Sequence, residues 1–471
     1  MNALSKLEQT RRLTEGPIAS TLFFFTLPML GSNVLQSLNG SINAMWVGHF
    51  LGEAALSATA SSNTIMFFLI GTIFGVGMAA TILVGQAMGA RDLDRAKRVV
   101  GTSISFFAAL SMAVAVLGWI FCPEVLTAMR VPHDALPLAV SYMRIIFLAM
   151  PFMFTYIFLT MTLRGAGDSK TPFYFMLLSV GLDIALNPLL LFGWGPVPGM
   201  GIAGSATATL IAQCASLVGL VAWLYRSKHF LCLRRGETRY LRIDGAILGA
   251  LIRKGIPMGL QIMLVSLSMI VIISLANRFG SQTSAAYGAC LQLWNYVQMP
   301  AMAVGMAVSS MVSQNVGARR WDRVHRVAMT GVTFNFLMTG ALAAIIYLFS
   351  GPALGLFLPR DVAAFPIAQH INAIVLWSFV LFGVMFVLSG VVRSTGAVVP
   401  PLILLFISLW LVRVPFARIG SEHWGADAVW WSFPVGSAVA VVLMSLYYRH
   451  GSWKKAHMMA EPPPVAPEPA M

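Results

Sequence analysis

Runs of about 20 predominantly apolar residues, each long enough to cross a hydrocarbon core of about 30 Å as a helix, recur from end to end of this chain. We read spans near 17–41, 54–84, 99–121, 136–163, 172–195, 203–226, 245–276, 283–314, 327–350, 364–391, 399–418 and 428–448. The expected fold is therefore an all-α integral membrane protein with twelve transmembrane helices. Composition agrees: of 471 residues 58% are hydrophobic and 10% charged, with a mean hydropathy of +0.78. A soluble domain carries about 25% charged residues. The first run follows a polar stretch holding Lys6, Glu8, Arg11, Arg12 and Glu15. It is too long for a signal h-region and ends at no small-residue cleavage site, so no cleaved signal is expected. The four cysteines (Cys122, Cys214, Cys232, Cys290) show neither C-x-x-C nor metal spacing, which argues against a disulfide framework or zinc site.

A net charge of +14 is the usual footprint of nucleic-acid binding, but its distribution says otherwise. Of 31 Lys and Arg, 25 fall on segments that face the side of the N-terminus and 6 on the other. The positive-inside rule then places both termini in the cytoplasm, and no nucleic-acid partner is expected. The expected organisation is a cytoplasmic N-terminal segment over 1–16, a six-helix lobe over 17–226, a cytoplasmic linker over 227–243, a second six-helix lobe over 244–450 and a disordered cytoplasmic tail over 451–471. The linker carries Lys228, Arg234, Arg235, Arg239 and Arg242. The part of the tail from Glu461 to Met471 is rich in proline.

The two halves repeat. Gly77–Thr102, GMAATILVGQAMGARDLDRAKRVVGT, aligns with Gly305–Thr330, GMAVSSMVSQNVGARRWDRVHRVAMT, with 13 of 26 positions identical at a constant offset of 228. Pro28/Pro257, Phe50/Phe279, Arg164/Arg393, Gly167/Gly396 and Pro172/Pro401 sit at nearly the same offset. That offset spans six helices, so both halves enter the membrane in the same orientation. Transporters with such parallel repeats bind substrate at the repeat interface. The duplicated Q-x-x-G-A-R-x-x-D-R segment has two readings: a solvated loop whose charges cap helix ends, or an inner gate of Arg–Asp pairs between the lobes. Pro28 and Pro257 each remove a helix hydrogen bond and are expected to bend their helices.

An acid inside the bilayer is costly unless it is paired or lines a wet cavity, so it marks a candidate functional site. Of the 17 acids, Asp183 is the one well inside an apolar run. At about 1.5 Å per residue from Pro172 it lies roughly 16 Å deep. It is read as a proton- or cation-binding carboxylate. Arg413, about 20 Å along the eleventh span by the same rise, is expected to snorkel outward or to pair locally. Met29, Met66, Phe154 and Tyr156 are candidate lining residues of an apolar cavity, since methionine adapts its shape to varied ligands. No nucleotide-binding loop or nucleophile triad is present, so an enzyme is not expected.

The segments LPMLGSNVLQSLNGSINAMWVGHFLGEAALSA, GQAMGARDLDRAKR, LRGAGDSKTP and NPLLLFGWGPVPGMGIAGSATAT resemble the multidrug and toxic compound extrusion (MATE) transporters, in the right order from about Gly16 to Tyr448. The resemblance implies a V-shaped pair of six-helix lobes in the bacterial inner membrane that exports organic, often cationic, compounds against H+ or, less expected here, Na+. It implies no cofactor beyond the coupling ion, small organic substrates and the lipid bilayer as partners, and a monomer. Members that couple through the first lobe resemble a pattern with an acid in the first helix and an Asn and an Asp four residues apart in the fifth. Here the first-helix acid position is Asn43, the Asp position is Asn187 and the Asn position is Asp183, so the fifth-helix pair is swapped. Gln36 and Pro28 match the family's polar residue and helix-bending proline. Val265 and Phe382 stand near positions that are acidic in other members. One carboxylate suits one proton better than a sodium ion held by several acids. The nearest rival is a lipid-linked sugar flippase, which would line its cavity with several cations. An integral-membrane enzyme, more distant, would need acids or histidines converging at one face.

Reporter fusions after Arg235 and after Met458 should both give cytoplasmic signals; an external signal at either site would refute the topology.

Overall fold

The computed structural model describes residues 13–194, 197–233 and 236–459. The polar stretch from Lys6 to Arg12, Arg234 and Arg235 of the linker, and the tail Glu461–Met471 lie outside the described residues. The chain from Ile18 to Gly89 is helical except at Gly52, whose φ of 81° only glycine adopts readily. That break separates α1 (Ile18–Gly48) from α2 (Ser57–Gly89). The first lobe continues with α3 (Leu93–Ala128), α4 (Leu136–Gly165), α5 (Lys170–Phe192), a two-residue hairpin of β1 (Gly193–Trp194) and β2 (Val197–Pro198), and α6 (Ile202–Arg226). The second lobe comprises α7 (Gly245–Asn277), α8 (Ser281–Val297), α9 (Met299–Gly317), α10 (Trp321–Leu348), the short α11 (Ser350–Gly355), α12 (Ala364–Val375), α13 (Ser378–Arg393), α14 (Val399–Trp424) and α15 (Ala426–His450).

Among the described residues ten helices are long and apolar enough to span a bilayer, and α12 with α13, bent by 43°, makes an eleventh. The twelfth is α8 with α9, which meet at Gln298. Pro300, in the first turn of α9, has no N–H to continue α8. α1 and α7 each continue as one helix through Pro28 and Pro257, and non-helical backbone between Ile18 and Gly89 falls at Gly52.

The repeat gives the lobes a crossed construction. Leu22, Phe25 and Met29 of α1 are buried in the second lobe's core with Ala303, Val304 and Met311 of α9. Reciprocally, Ile247, Leu251 and Met258 of α7 are buried in the first lobe's core with α2 and α4. Small residues make these approaches possible, as is usual where lipid supplies no hydrophobic drive between helices. A Cβ on Gly75 would collide with the backbone of Gly255 and Gly259.

The closest approach is between α2 and α9. A Cβ on Gly89 would overlap the Gln314 carbonyl, and one on Gly317 would overlap the Gln86 carbonyl. The glutamines of the repeat complete this latch. Gln86 Nε2 donates to the Ser394 carbonyl at 2.8 Å, and Gln314 Nε2 to the Gly165 carbonyl at 2.9 Å. Each lobe thus satisfies a helix C-terminal carbonyl of the other. The Arg–Asp pairs of the motif stay within their own lobes, Arg98–Asp94 at 2.8 Å and Arg326–Asp322 at 3.9 Å. Arg91 and Arg319, at φ 60° and 58°, close Schellman turns in which Asp92 N–H reaches the Ala87 carbonyl and Arg320 N–H the Asn315 carbonyl. Glu15 reaches Arg91 at 3.8 Å and Arg320 at 3.6 Å, exposed pairs that contribute little.

Both ends of the described chain lie on this latch side. Asn315 Nδ2 donates to the Leu13 carbonyl and Arg320 to that of Thr14. Of the tail expected over 451–471, the described part, 451–459, is packed on the second lobe. Trp453 and Met458 are each 2% exposed, and Thr395 Oγ1 donates to the Trp453 carbonyl at 2.8 Å. Two large apolar side chains anchor this segment. The linker is also docked rather than free. Tyr240 is buried, its hydroxyl donates to Asp94 and holds that carboxyl below its ordinary range, and Lys97 meets Glu237 at 2.6 Å.

Gly89→Val or Gly317→Val should leave both lobes folded but hold the latch apart. Ser313→Cys, at a fully buried position between α2 and α9, should then react several-fold faster with a soluble maleimide than in the otherwise wild-type protein; equal rates would contradict the latch.

Candidate functional site

Two helices of the first lobe each present a polar pair four residues apart, and the pairs face one another. Such spacing puts both side chains on one helix face. On α1 these are Asn39 and Asn43; on α5 they are Asp183 and Asn187. Asp183 is 2% and Asn187 0% exposed. Asn39 Nδ2 and Asn43 Nδ2 donate to Asp183 Oδ2 at 2.8 and 2.9 Å, and Thr209 Oγ1 of α6 donates to Asp183 Oδ1 at 3.2 Å. Asn187 Nδ2 donates to Asn43 Oδ1 at 2.7 Å. Asn43 is therefore fixed at both ends, its carbonyl toward Asn187 and its amide toward Asp183. The carboxylate accepts three hydrogen bonds and makes no ion pair among the described residues.

Buried polar groups ordinarily find partners, yet Asn39 Oδ1 and Asn187 Oδ1 are buried with none. One carboxylate and two spare carbonyl oxygens form an acceptor-rich cage suited to a small cation. No cluster of three or more His, Cys, Asp or Glu exists among the described residues.

Asp183, Asn43 and Asn187 thus come together as one site. Asn39 and Thr209 belong to it as well, and sequence reading passed over both. Asn39 had a readable signal, its four-residue spacing from Asn43; Thr209 had none, because its role depends on how α6 packs on α5. Gln36 is exposed on the same side of α1, seven residues before Asn43, and makes no contact with the carboxylate.

A cleft opens between the lobes, one helical turn beyond the latch. Met29, Met78, Met161, Met306, Arg164 and Ser310 line it, drawn from α1, α2, α4 and α9. Met29 thus faces the cleft between the lobes. Met66 is half-buried against the first lobe's core, and Phe154 and Tyr156 are 0% and 3% exposed inside that core. The middle of α4 is wrapped by α2, α3 and α6, so only its latch-side end reaches the cleft.

Arg413 neither snorkels nor finds an acid. It is 5% exposed in a π-helical turn of α14, with its guanidinium 3.7 Å from the Phe433 ring centroid and 3.7 Å from Met269 Sδ. A cation–π contact replaces the ion pair.

Residues 28–189 and 257–419 each match the MatE family, so that both halves of the repeat carry it. The chain is 39% identical over 448 residues to a probable multidrug resistance protein, YoeA, of Bacillus subtilis (strain 168), covering 95% of this chain and 96% of that one. Among solved structures it superposes with a TM-score of 0.87 and 22% identity on a MATE protein crystallised with MaD3S, over 95% and 99% of the two chains. It superposes with a TM-score of 0.86 and 21% identity on an outward-facing multidrug resistance MATE transporter, also over 95% and 99%.

Asn43→Leu removes one donor from Asp183 and strands the amide of Asn187. It should lower stability by about 1–3 kcal/mol, the range for a buried group left unsatisfied, read as a lower thermal transition in detergent. Thr209→Val, which removes a single longer bond, should cost less; equal transitions for Asn43→Leu and wild type would show that the network is not under load.

Proposed function

The chain belongs to the MatE family, and from that premise we propose that it is a secondary active antiporter of the bacterial inner membrane that exports multiple drugs in exchange for protons. The similarity to YoeA and to outward-facing MATE structures supports export by alternating access. The positive-inside distribution supports cytoplasmic termini. The observation that carries proton coupling is the network around Asp183. It holds a single carboxylate where sodium sites of the multi-acid type would need several, and Val265 and Phe382 supply none in the second lobe.

The network serves both charge states without recruiting another residue. When Asp183 is ionised, the amides of Asn39 and Asn43 and the hydroxyl of Thr209 donate to it. A protonated carboxyl has one O–H to give away and needs an acceptor. Asn39 Oδ1, which has no partner in the ionised arrangement, becomes that acceptor when the side-chain amide turns over. Three of the four groups are on α1 and α5, so loading the proton alters the contact between these helices. Because α1 also packs on α9 in the other lobe, that change reaches the latch. Met29, Met78, Met161 and Met306 offer a deformable apolar surface for chemically varied substrates.

Asp183→Asn is nearly isosteric and should leave the fold intact while proton-driven efflux falls to background. In the double variant Asp183→Asn with Asn187→Asp, Asn43 can reverse its amide to donate to the new carboxylate, so part of the activity should return. Dye efflux from proteoliposomes under an imposed pH gradient tests both. Wild-type rates in Asp183→Asn would refute the proposal, and a dead double variant would show that the carboxylate must lie within one turn of its present position.

A further inference from the structure

Arg164 is a cation that the coupling site does not use. It stands at the latch-side end of α4 and lines the inter-lobe cavity. Its guanidinium makes no hydrogen bond or ion pair with any described residue, and its Nε is buried without a partner. The mate of Arg164 in the repeat is treated differently. Arg393 Nη1 donates to Gln261 Oε1 at 2.8 Å, and its guanidinium lies 5.4 Å from the Phe386 ring centroid. Gln261 corresponds to Ser32 at the offset that relates Arg393 to Arg164. Ser32 is too short to play the same part, and its hydroxyl donates instead to the Pro28 carbonyl at 2.9 Å. Both arginines have an unpartnered Nε, but Arg393 has one side-chain acceptor in Gln261 and Arg164 has none.

An unpaired guanidinium removed from water is costly unless something else supplies acceptors. Here the surroundings supply few. The Thr81 hydroxyl lies within donating distance of the Gly77 and Met161 carbonyls and Ser309 pairs with Ser394, and neither hydroxyl accepts a hydrogen bond from Arg164. Apart from Ser310, the remaining walls are thioethers. We propose that this cavity is an anion-binding substrate site, in which Arg164 takes the carboxylate or sulfonate of an amphipathic organic anion and the four methionines hold its apolar body. The planar guanidinium pairs with such groups through two parallel hydrogen bonds. A single cation matches a single negative charge and leaves a pyrophosphate largely unneutralised. The position is apt, because Ser313 and Gln314 of the latch lie one turn from Ser309 and Ser310 on α9. A ligand here sits directly above the closed end of the cleft.

The site rests on the transporter reading and narrows its substrates to include anionic or zwitterionic compounds. The test uses the full chain in lipid nanodiscs and two probes with one apolar body, naphthalene-2-sulfonate and 2-naphthyltrimethylammonium, in equilibrium dialysis. Wild type should bind the sulfonate at least about tenfold more tightly, which corresponds to about 1.4 kcal/mol. Arg164→Gln should lose that preference, and Arg164→Lys should retain a reduced one, because an ammonium keeps the charge without the fork. Equal affinities in wild type, or an undiminished preference in Arg164→Gln, would overturn the proposal; the wild-type comparison stands even where a variant fails to fold. Displacement of the sulfonate by inorganic pyrophosphate in preference to benzoate would also overturn it, in favour of a phosphorylated lipid headgroup. Asp183→Asn should keep the preference for the sulfonate over the ammonium while losing proton-driven efflux, so the failure of either assignment is visible separately.

Discussion

Two glycines, Gly89 and Gly317, let the backbones of α2 and α9 touch, and much of the remaining arrangement follows from that contact. Each stands where any side chain would overlap a carbonyl of the opposite helix. With no hydrophobic drive between helices in lipid, close packing and interhelical hydrogen bonds have to hold the lobes together. The crossing supplies both. Gln86 and Gln314 reach over it to the ends of α13 and α4, and the reciprocity of these bonds is the two-fold relation of the repeat expressed in atoms.

The exchange of helix halves between the cores explains how a local event can be felt at a distance. α1 carries Asn39 and Asn43 at one end and, through Leu22, Phe25 and Met29, is buried in the second lobe's core at the other. In the proposed coupling, a change in how Asp183 is hydrogen-bonded would act on the end of α1 away from the latch, and the helix would convey it to the latch side. The buried charges are divided in the same way. The lone deep carboxylate is satisfied by four neighbouring side chains acting directly or in relay, whereas Arg164 is left with its hydrogen-bonding capacity open toward the cleft and Arg413 rests on an aromatic face.

Much of this was legible in the residues. The twelve spans, the halving of the chain and the isolation of Asp183 follow from hydropathy, from an aligned repeat and from the cost of a charge in hydrocarbon, all of which are properties of local sequence. Asn43 and Asn187 followed from the resemblance to a family. Phe154 and Tyr156 were not legible in this way, because a large apolar residue on a membrane helix has the same signature whether it faces the lobe core, the cleft or lipid. The packing of 451–459 and of the linker was not legible, because it rests on contacts that Trp453 and Tyr240 make with residues far away in the chain.

The sequence by itself determined the number of spans, their shared orientation in the two halves and the one acid that had to be accounted for, since hydrocarbon imposes these on each helix separately. Only the tertiary structure decided which partners that acid has, that the glutamines rather than the Arg–Asp pairs of the repeat join the lobes, and that Arg164 is open where Arg393 is bound. Those outcomes depend on which faces of different helices meet. A helix periodicity states that a face exists, but the neighbour that covers it is set by packing across residues far apart in the chain.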